Sequence, residues 1–397
     1  MARVLVAMSG GVDSAVAAAL LLEQGHDVTG VHLKLADLPL DEQVPGHGCC
    51  TLDDAQDARR TAQVLGVPFY VWDLSEAFER EVQRPFAEAY AAGATPNPCV
   101  TCNERVKYAA LLERAQELGF EALATGHHAR LRRDGRPVTA PGPGVDLVRA
   151  EDRAKDQSYV LYMATPAQLA RTLLPVGELP KARIRTLASE LGLRVATKPD
   201  SYDVCFIPDG DTAGYLADRL PAAPGPIVDQ DGEVLGHHDG VWRFTVGQRR
   251  GLGLDHHERR FVTDVDPASR TVRVGPREEL ACHWADLDRP NWTRGAAPAG
   301  AVRVQIRAHG RSVAGRVVPA DGTADGTADG TADGTATDRT ALGGVRVRVE
   351  LDEPVHGLAL GQAAVVYTPD DQICLGGGRV VAAERPAGLP LASTSPA

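Results

Sequence analysis

Val4-Leu5-Val6-Ala7-Met8-Ser9-Gly10-Gly11-Val12-Asp13-Ser14 decides the architecture of this chain. Val4 to Met8 is an apolar run of buried-strand length. A Gly-Gly turn follows, and then an Ala/Leu-rich helix to about Glu23, closed by Gly25. Two glycines let the backbone approach an anion closely. The helix start presents unpaired N–H groups, and Ser9 and Ser14 add hydroxyl donors. A tight turn capped by Ser9 or Asp13 is the bland alternative; six such residues between a strand and a helix outweigh it. There is no Gly-Lys-Ser/Thr, so this is not a Walker A loop, and no Gly-x-Gly-x-x-Gly dinucleotide fingerprint.

Outward from this stretch, strand and helix signals alternate. Val28 to Leu35 reads as a strand, Asp53 to Leu65 as a helix stopped by Gly66, and Pro68 to Leu74 as a strand. Leu111 to Leu118 reads as a helix and Ala122 to Thr125 as a strand. Alternation predicts an α/β fold with a parallel sheet covered on both faces. This α/β domain is expected over 1–205. After Cys205, Gly, Pro and Asp punctuate short β-like runs: 226–228 and 233–235 around a turn, then 261–266 and 271–275 as a hairpin. A small linking domain is expected over 206–280. The runs 302–306, 313–318, 345–351 and 363–367 predict a C-terminal β-barrel or sandwich over 281–385. Asp-Gly-Thr-Ala recurs four times from Asp321 to Ala336. It is too short and polar to bury anything, so 321–336 is expected to be a disordered insertion. The Pro/Ala/Ser-rich tail, 386–397, is expected to be flexible.

The chain has 397 residues, a length that predicts two or three domains. No apolar run suffices to cross a bilayer, and the N-terminus lacks a signal-peptide h-region. A cytoplasmic address without membrane association is therefore expected. Seven cysteines, an odd number over a long chain, do not make a secreted disulfide framework. The net charge of −11 argues against sequence-independent nucleic-acid binding. It leaves room for local basic surfaces, since arginines cluster at Arg130, Arg132 and Arg133 and at Arg249 and Arg250.

Asn97-Pro98-Cys99-Val100-Thr101-Cys102-Asn103 is the second chemical signal. Prolines at 96 and 98 predict an extended, stiff loop just before a helix. A thiol at a helix N-terminus has a lowered pKa and can act as a nucleophile. Half a zinc site is the first alternative, but its other half would be the adjacent Cys49 and Cys50, a poor ligand spacing. A dithiol redox pair is the second, but that motif lacks flanking prolines. Cys205, between Val204 and Phe206, reads on its own as a buried small hydrophobe. His237-His238 and His256-His257 read as solvated loops rather than metal ligands, and no protein-built metal site is expected.

The glycine loop resembles that of the PP-loop ATP pyrophosphatases, which split ATP into AMP and pyrophosphate. Six segments in order extend the resemblance: the Ser9–Ser14 loop; Thr95-Pro96-Asn97-Pro98 with Cys102; Lys155-Asp156-Gln157-Ser158-Tyr159; Cys205-Phe206-Ile207; Thr245 to Gly253; and Gly361-Gln362-Ala363-Ala364. Together, over about residues 3–380, they resemble the tRNA-specific 2-thiouridylase family. The resemblance implies a PP-loop domain, a linking domain and a β-barrel. It implies 2-thiolation of the wobble uridine, with ATP and Mg²⁺. It places ATP on Ala7, Met8, Ser9, Gly10, Gly11, Val12, Asp13, Ser14, Leu33 and Gly126, with Asp13 helping to organise Mg²⁺. Cys102 matches the family nucleophile and Cys205 the persulfide carrier, and the two can close a disulfide once sulfur is spent. Asn97, Pro98 and Cys99 fall near the target base; His127, Lys155, Asp156, Gln157, Arg307 and Gln362 fall where the family touches tRNA. The implied partners are the tRNA anticodon stem-loop and an upstream persulfide donor protein. Some members carry Asp where Cys99 stands. Two rivals to this reading are an amide-forming PP-loop synthetase and a nucleotide-binding regulator without turnover.

Overall fold

The computed structural model describes residues 1–35, 52–200, 204–207, 209–254, 259–320 and 346–384. The Asp-Gly-Thr-Ala repeat, the tail 386–397, Cys49, Cys50, His256 and His257 lie outside the described residues.

The N-terminal region begins β1 (Arg3–Ala7), α1 (Val12–Glu23), β2 (Asp27–Lys34), α2 (Leu52–Leu65) and β3 (Phe69–Asp73). Two helical stretches, α3 over 75–91 and α4 over 98–117, precede β4 (Ala122–Ala124), and α5 (Lys181–Glu190) follows later. The strands pair in parallel in the order β3-β2-β1-β4, with a short outer strand at Thr172–Leu173. Leu5, Val31 and Leu33 face one apolar core, shared with α3 and α4. Val4, Val6, Val28, Ala122 and Ala124 face another, shared with Ala18, Leu21, Ala58 and Ala62 of α1 and α2. Burial on both faces is why β1 is apolar throughout rather than alternating. From β1 the chain builds outward to β2 and β3, then returns to the opposite side for β4. The glycine loop leaves the C-terminal end of β1 at that reversal, the place where open α/β sheets bind ligands.

Strands Gly225–Val228, Val234–His238, Phe261–Asp266 and Thr271–Gly275 form a second, four-stranded sheet over Ile227, Val262, Val272 and Val274. His238 corrects the sequence expectation of a solvated loop. It lies on the second of these strands, 7% exposed, with Nε2 3.1 Å from the carbonyl of Arg270. Packing against Phe244 explains the burial.

Six antiparallel strands close the C-terminal barrel: Ala281–Trp292, Ala301–Gln305, Val313–Pro319, Arg346–His356, Ala363–Tyr367 and Ile373–Ala383. Closure comes from pairing of Ala281–Trp292 with Ile373–Ala383. The sheet then continues into the N-terminal half. Ile373 and Cys374 pair with Val148 and Leu147, and Asp146–Arg149 in turn pairs with Ala129–Arg133. The arginine cluster foreseen as a basic surface sits on this extension. Arg130 donates to the Arg149 carbonyl and Glu151, Arg132 to Glu178, and Arg133 to the carbonyls of Gly142 and Pro143.

Arg149 rivets the two halves together. Its guanidinium reaches Asp156 Oδ2 and Asp371 Oδ1, each at 2.8 Å, and lies 3.6 Å from the centre of the Tyr367 ring. Arg149→Ala would leave the buried Asp156 carboxylate without its cation. Breaking a buried pair from one side costs about 3–5 kcal/mol, so the urea midpoint is expected to fall accordingly; an unchanged midpoint would show that the rivet is not needed.

Candidate active site

Gly10 turns the chain with φ +81°, and a Cβ there would stand 2.3 Å from the Asp54 carbonyl oxygen of α2. Beyond the turn the loop organises itself. Ser14 Oγ accepts from Ser9 N at 3.1 Å and donates to the Gly11 carbonyl at 3.2 Å, while Ser9 Oγ accepts from Gly11 N. The strand neighbours press in: Met8 N donates to the Val31 carbonyl, and a Cβ on Gly126 would meet Ser14 N at 2.5 Å. This is a cradle of backbone donors that side chains would fill. Gly10→Ala is expected to lose nucleotide binding, since the left-handed backbone alone costs roughly 1–2 kcal/mol and the contact with α2 must shift the loop. Equilibrium binding of an ATP analogue checks this, and wild-type affinity would refute it.

Asp13, in the first turn of α1, faces two groups. Lys181 Nζ donates to both its oxygens at 2.7 and 2.8 Å, and His128 Nε2 is 3.0 Å from Oδ1. Burial would raise its pKa, but the hydrogen bonds from His128 and Lys181 outweigh that and hold it below the usual carboxylate range. Lys181 also reaches Asp200 Oδ1 at 2.9 Å, and Asp200 accepts from Lys155 and Arg185, each at 2.8 Å. Lys198 Nζ binds the Gly10 carbonyl at 3.1 Å, Asp54 at 2.7 Å and Asp57 at 2.9 Å, clamping loop to α2. Among the described residues no cluster of three His, Cys, Asp or Glu could hold a metal. A single carboxylate beside a cradle of backbone donors fits magnesium, which takes one or two carboxylates and leaves the rest to substrate phosphates and water.

His128, Lys181, Lys198 and Asp200 were not singled out from sequence. A compositional signal existed: the chain has only five lysines against 37 arginines, and Lys155, Lys181 and Lys198 all converge on the acids around this loop.

The second cluster is sulfur. Asn97 caps α4, its side chain accepting from Cys99 N at 3.0 Å and Val100 N at 3.2 Å, with Pro98 as the first helical residue. The stiff loop expected just before a helix therefore ends at Asn97. A proline is preorganised for the first helical position and not only for extended chain. Cys99 lies at the helix start and Cys102 a full turn in, 7% exposed, where the helix widens to π-type over Cys102–Leu111. Cys102 belongs to the apolar cluster of Phe78, Phe86, Val100 and Phe206, and Cys205 packs against the same cluster. Phe206 anchors the Cys205 segment, its ring 5.4 Å from Phe86 and 5.2 Å from Tyr215.

Both the linking domain and the barrel hold the loop before α4. Thr95 N donates to the Leu360 carbonyl at 2.7 Å, and the Thr95 carbonyl accepts from Gln362 Nε2 at 2.6 Å. Thr95 Oγ1 donates to Thr245 Oγ1 at 3.1 Å. Arg307 spans to the Gly357 carbonyl at 2.7 Å. Of the residues expected on tRNA, Asp156 is buried and engaged by Arg149, Ala150 N and Ser158. Gln157 grips the His128 backbone at both ends, Oε1 accepting from His128 N and its own N donating to the His128 carbonyl. His127 Nδ1 is 2.7 Å from Thr125 Oγ1, and burial with Lys107 and His128 nearby holds its pKa well below the usual value. Arg249 and Arg250 are exposed. Leu33 and Gly126 flank the loop on β2 and after β4.

Residues 2–209 match the family described as tRNA methyl transferase HUP domain, 213–276 the tRNA methyl transferase PRC-barrel domain, and 340–380 the aminomethyltransferase beta-barrel domain. The chain is similar over nearly its whole length to proteins named tRNA-specific 2-thiouridylase MnmA. That of Salinispora arenicola is 49% identical over 389 residues, covering 96% of this chain and 99% of the relative. That of Thermobifida fusca is 47% identical over 386 residues, 96% of each. That of Mycolicibacterium smegmatis is 48% identical over 375 residues, 93% of this chain and 96% of the relative.

Proposed function

From the premise that this chain belongs to the tRNA-specific 2-thiouridylase family, we propose how its two clusters divide a two-stage reaction on tRNA. The chain is a sulfur transferase acting on tRNA uridine, and it uses ATP. The observation that carries the proposal is the pairing of a phosphate cradle ending in Asp13 with two thiols, Cys102 and Cys205, on one apolar cluster.

In the first stage the C2 oxygen of the wobble uridine attacks the α-phosphorus of ATP. The bond to the β-phosphate oxygen breaks, and pyrophosphate leaves into the Ser9–Ser14 loop. Backbone N–H groups there are fixed before the reaction, so they stabilise developing charge without reorganising. Asp13 would hold magnesium, which when bound neutralises phosphate charge. The base must leave the anticodon stack to enter, and Asn97, Pro98 and Cys99 would line its place. Lys155, Gln157, His127, Arg307 and Gln362 would position the tRNA, through direct contact or, for Gln157 and Gln362, by holding neighbouring backbone.

In the second stage the terminal sulfur of a persulfide on Cys205, loaded by a donor protein, reaches C2 and AMP leaves. Either that sulfur attacks while still on Cys205, and the Cys102 thiolate then attacks Cys205 Sγ to release 2-thiouridine, or Cys102 first frees it as sulfide. Both routes end in a Cys102–Cys205 disulfide, which a thiol reductant must reopen. The tRNA substrate and that reductant fit a cytoplasmic setting; among the described residues no helix is long and apolar enough to cross a membrane.

The test is to incubate the protein with ATP, unmodified tRNA and a persulfide source, then to quantify AMP, pyrophosphate and 2-thiouridine by nucleoside mass analysis. All three are expected, and only with tRNA. AMP release that ignores tRNA and follows ammonia or an amino acid would favour an amide-forming synthetase instead.

A further inference from the structure

Lys181 occupies a position that local physics disfavours. It is the first residue of α5, a ten-residue helix, where the helix dipole is positive and an acidic side chain would be preferred. It is nonetheless buried, 9% exposed. The carboxylates of Asp13 and Asp200 make this tolerable: Lys181 donates to both oxygens of Asp13 at 2.7 and 2.8 Å and pairs with Asp200 at 2.9 Å. Violations of local preference of this kind gather at functional sites. Lys198 offers the contrast: one of its bonds goes to a loop carbonyl and two to α2, as a structural clamp would. Lys181 binds no backbone acceptor through its ammonium group, and two of its three bonds go to Asp13.

We propose that Lys181 is a substrate-binding residue of the adenylation stage, resting on Asp13 until ATP arrives and then donating to the ATP phosphates. The inference rests on the PP-loop reading of Ser9–Ser14. A cation on one oxygen of Asp13 would compete with one of the two hydrogen bonds that Lys181 now donates to it. The ammonium would then have a donor for a new acceptor. Asp200 keeps its bond and holds the side chain at the loop, where the acceptors on offer are phosphate oxygens. Asp200 is thus a positioning residue. Lys155 and Arg185 hold it in turn, and its carboxyl stays below the usual range because hydrogen bonds from Lys155 and Lys181 outweigh burial.

Equilibrium binding of a non-hydrolysable ATP analogue and of adenosine to Lys181→Gln and Lys181→Arg tests this, alongside pyrophosphate release with tRNA. Glutamine keeps a donor for Asp13, so the fold is preserved while the charge is lost. Lys181→Gln should lose at least about tenfold in analogue affinity, the worth of a charge-assisted hydrogen bond, while binding adenosine within about twofold of wild type. Lys181→Arg should recover most of the difference. A merely structural lysine would move both ligands together. Equal losses for analogue and adenosine, unchanged analogue binding in Lys181→Gln, or an arginine variant as weak as glutamine would each overturn the proposal. If the wild-type protein itself binds no ATP analogue, the PP-loop reading fails instead.

Discussion

Asp13→Asn lowers tRNA-dependent pyrophosphate release by about 10²–10³-fold, the scale on which removing one preorganised charge stabiliser acts. The substitution is chosen for its mildness. Asparagine keeps one oxygen, which can still face Lys181 at 2.8 Å and His128 at 3.0 Å, and gives up only the second bond from Lys181, so the fold should be retained. What it removes is the negative charge. That charge balances Lys181 and would hold magnesium. The measurement is pyrophosphate release under saturating ATP with the unmodified tRNA, together with thermal melting. A variant that melts normally and still adenylates at the wild-type rate removes Asp13 from the chemistry, and the PP-loop assignment with it.

The three thiols near the loop should separate just as sharply. Cys205→Ser is expected to adenylate tRNA but carry no transferred sulfur, because adenylation needs no thiol. Cys102→Ser is expected to accept labelled sulfur on Cys205 and fail to hand it on. Both should make essentially no 2-thiouridine. Cys99→Ser is the comparison. It sits at the start of α4, whereas Cys102 is a full turn inside and on the cluster that Cys205 packs against. Labelled-sulfur transfer followed by nucleoside mass analysis reads all three. A dead Cys99 variant beside a normal Cys102 variant would mean that the nucleophile is Cys99. Normal thiolation by Cys205→Ser would end the persulfide model.

The parallel sheet and the glycine loop between its first strand and helix were legible because they rest on local signals. An apolar run, two glycines and an Ala-rich helix each say the same thing within 20 residues. The linking hairpin at Phe261–Gly275 was legible for the same reason. Three things were not. The start of α4 was misread because Pro98 serves extended chain and helix start equally, and the cap by Asn97 decides between them. The strand Ile373–Ala383 was missed because Gly376, Gly377 and Gly378 interrupt its apolar pattern, and its contact with Asp146–Arg149 because the two lie more than two hundred residues apart. The cation set around Asp13 was missed because Lys155, Lys181 and Lys198 converge only in three dimensions. Their rarity in an arginine-dominated chain was the one trace left in the sequence.

The grip of the barrel on Thr95 has a consequence in time. Gln362 follows Thr95 by 267 residues, and Asp371 follows its partner Arg149 by 222. At about 5–20 residues per second of synthesis, a ribosome exposes Thr95 on the order of tens of seconds before its anchors exist. During that interval the parallel sheet and its phosphate loop can form from local contacts, while the cysteine-bearing helix start still lacks its tether. On the proposed division of labour, the residues of the nucleotide loop are all synthesised before residue 201, whereas the loop that leads into the cysteine-bearing helix waits for Gln362. The proposed sulfur centre would be set last, once translation had passed the strands that hold Thr95.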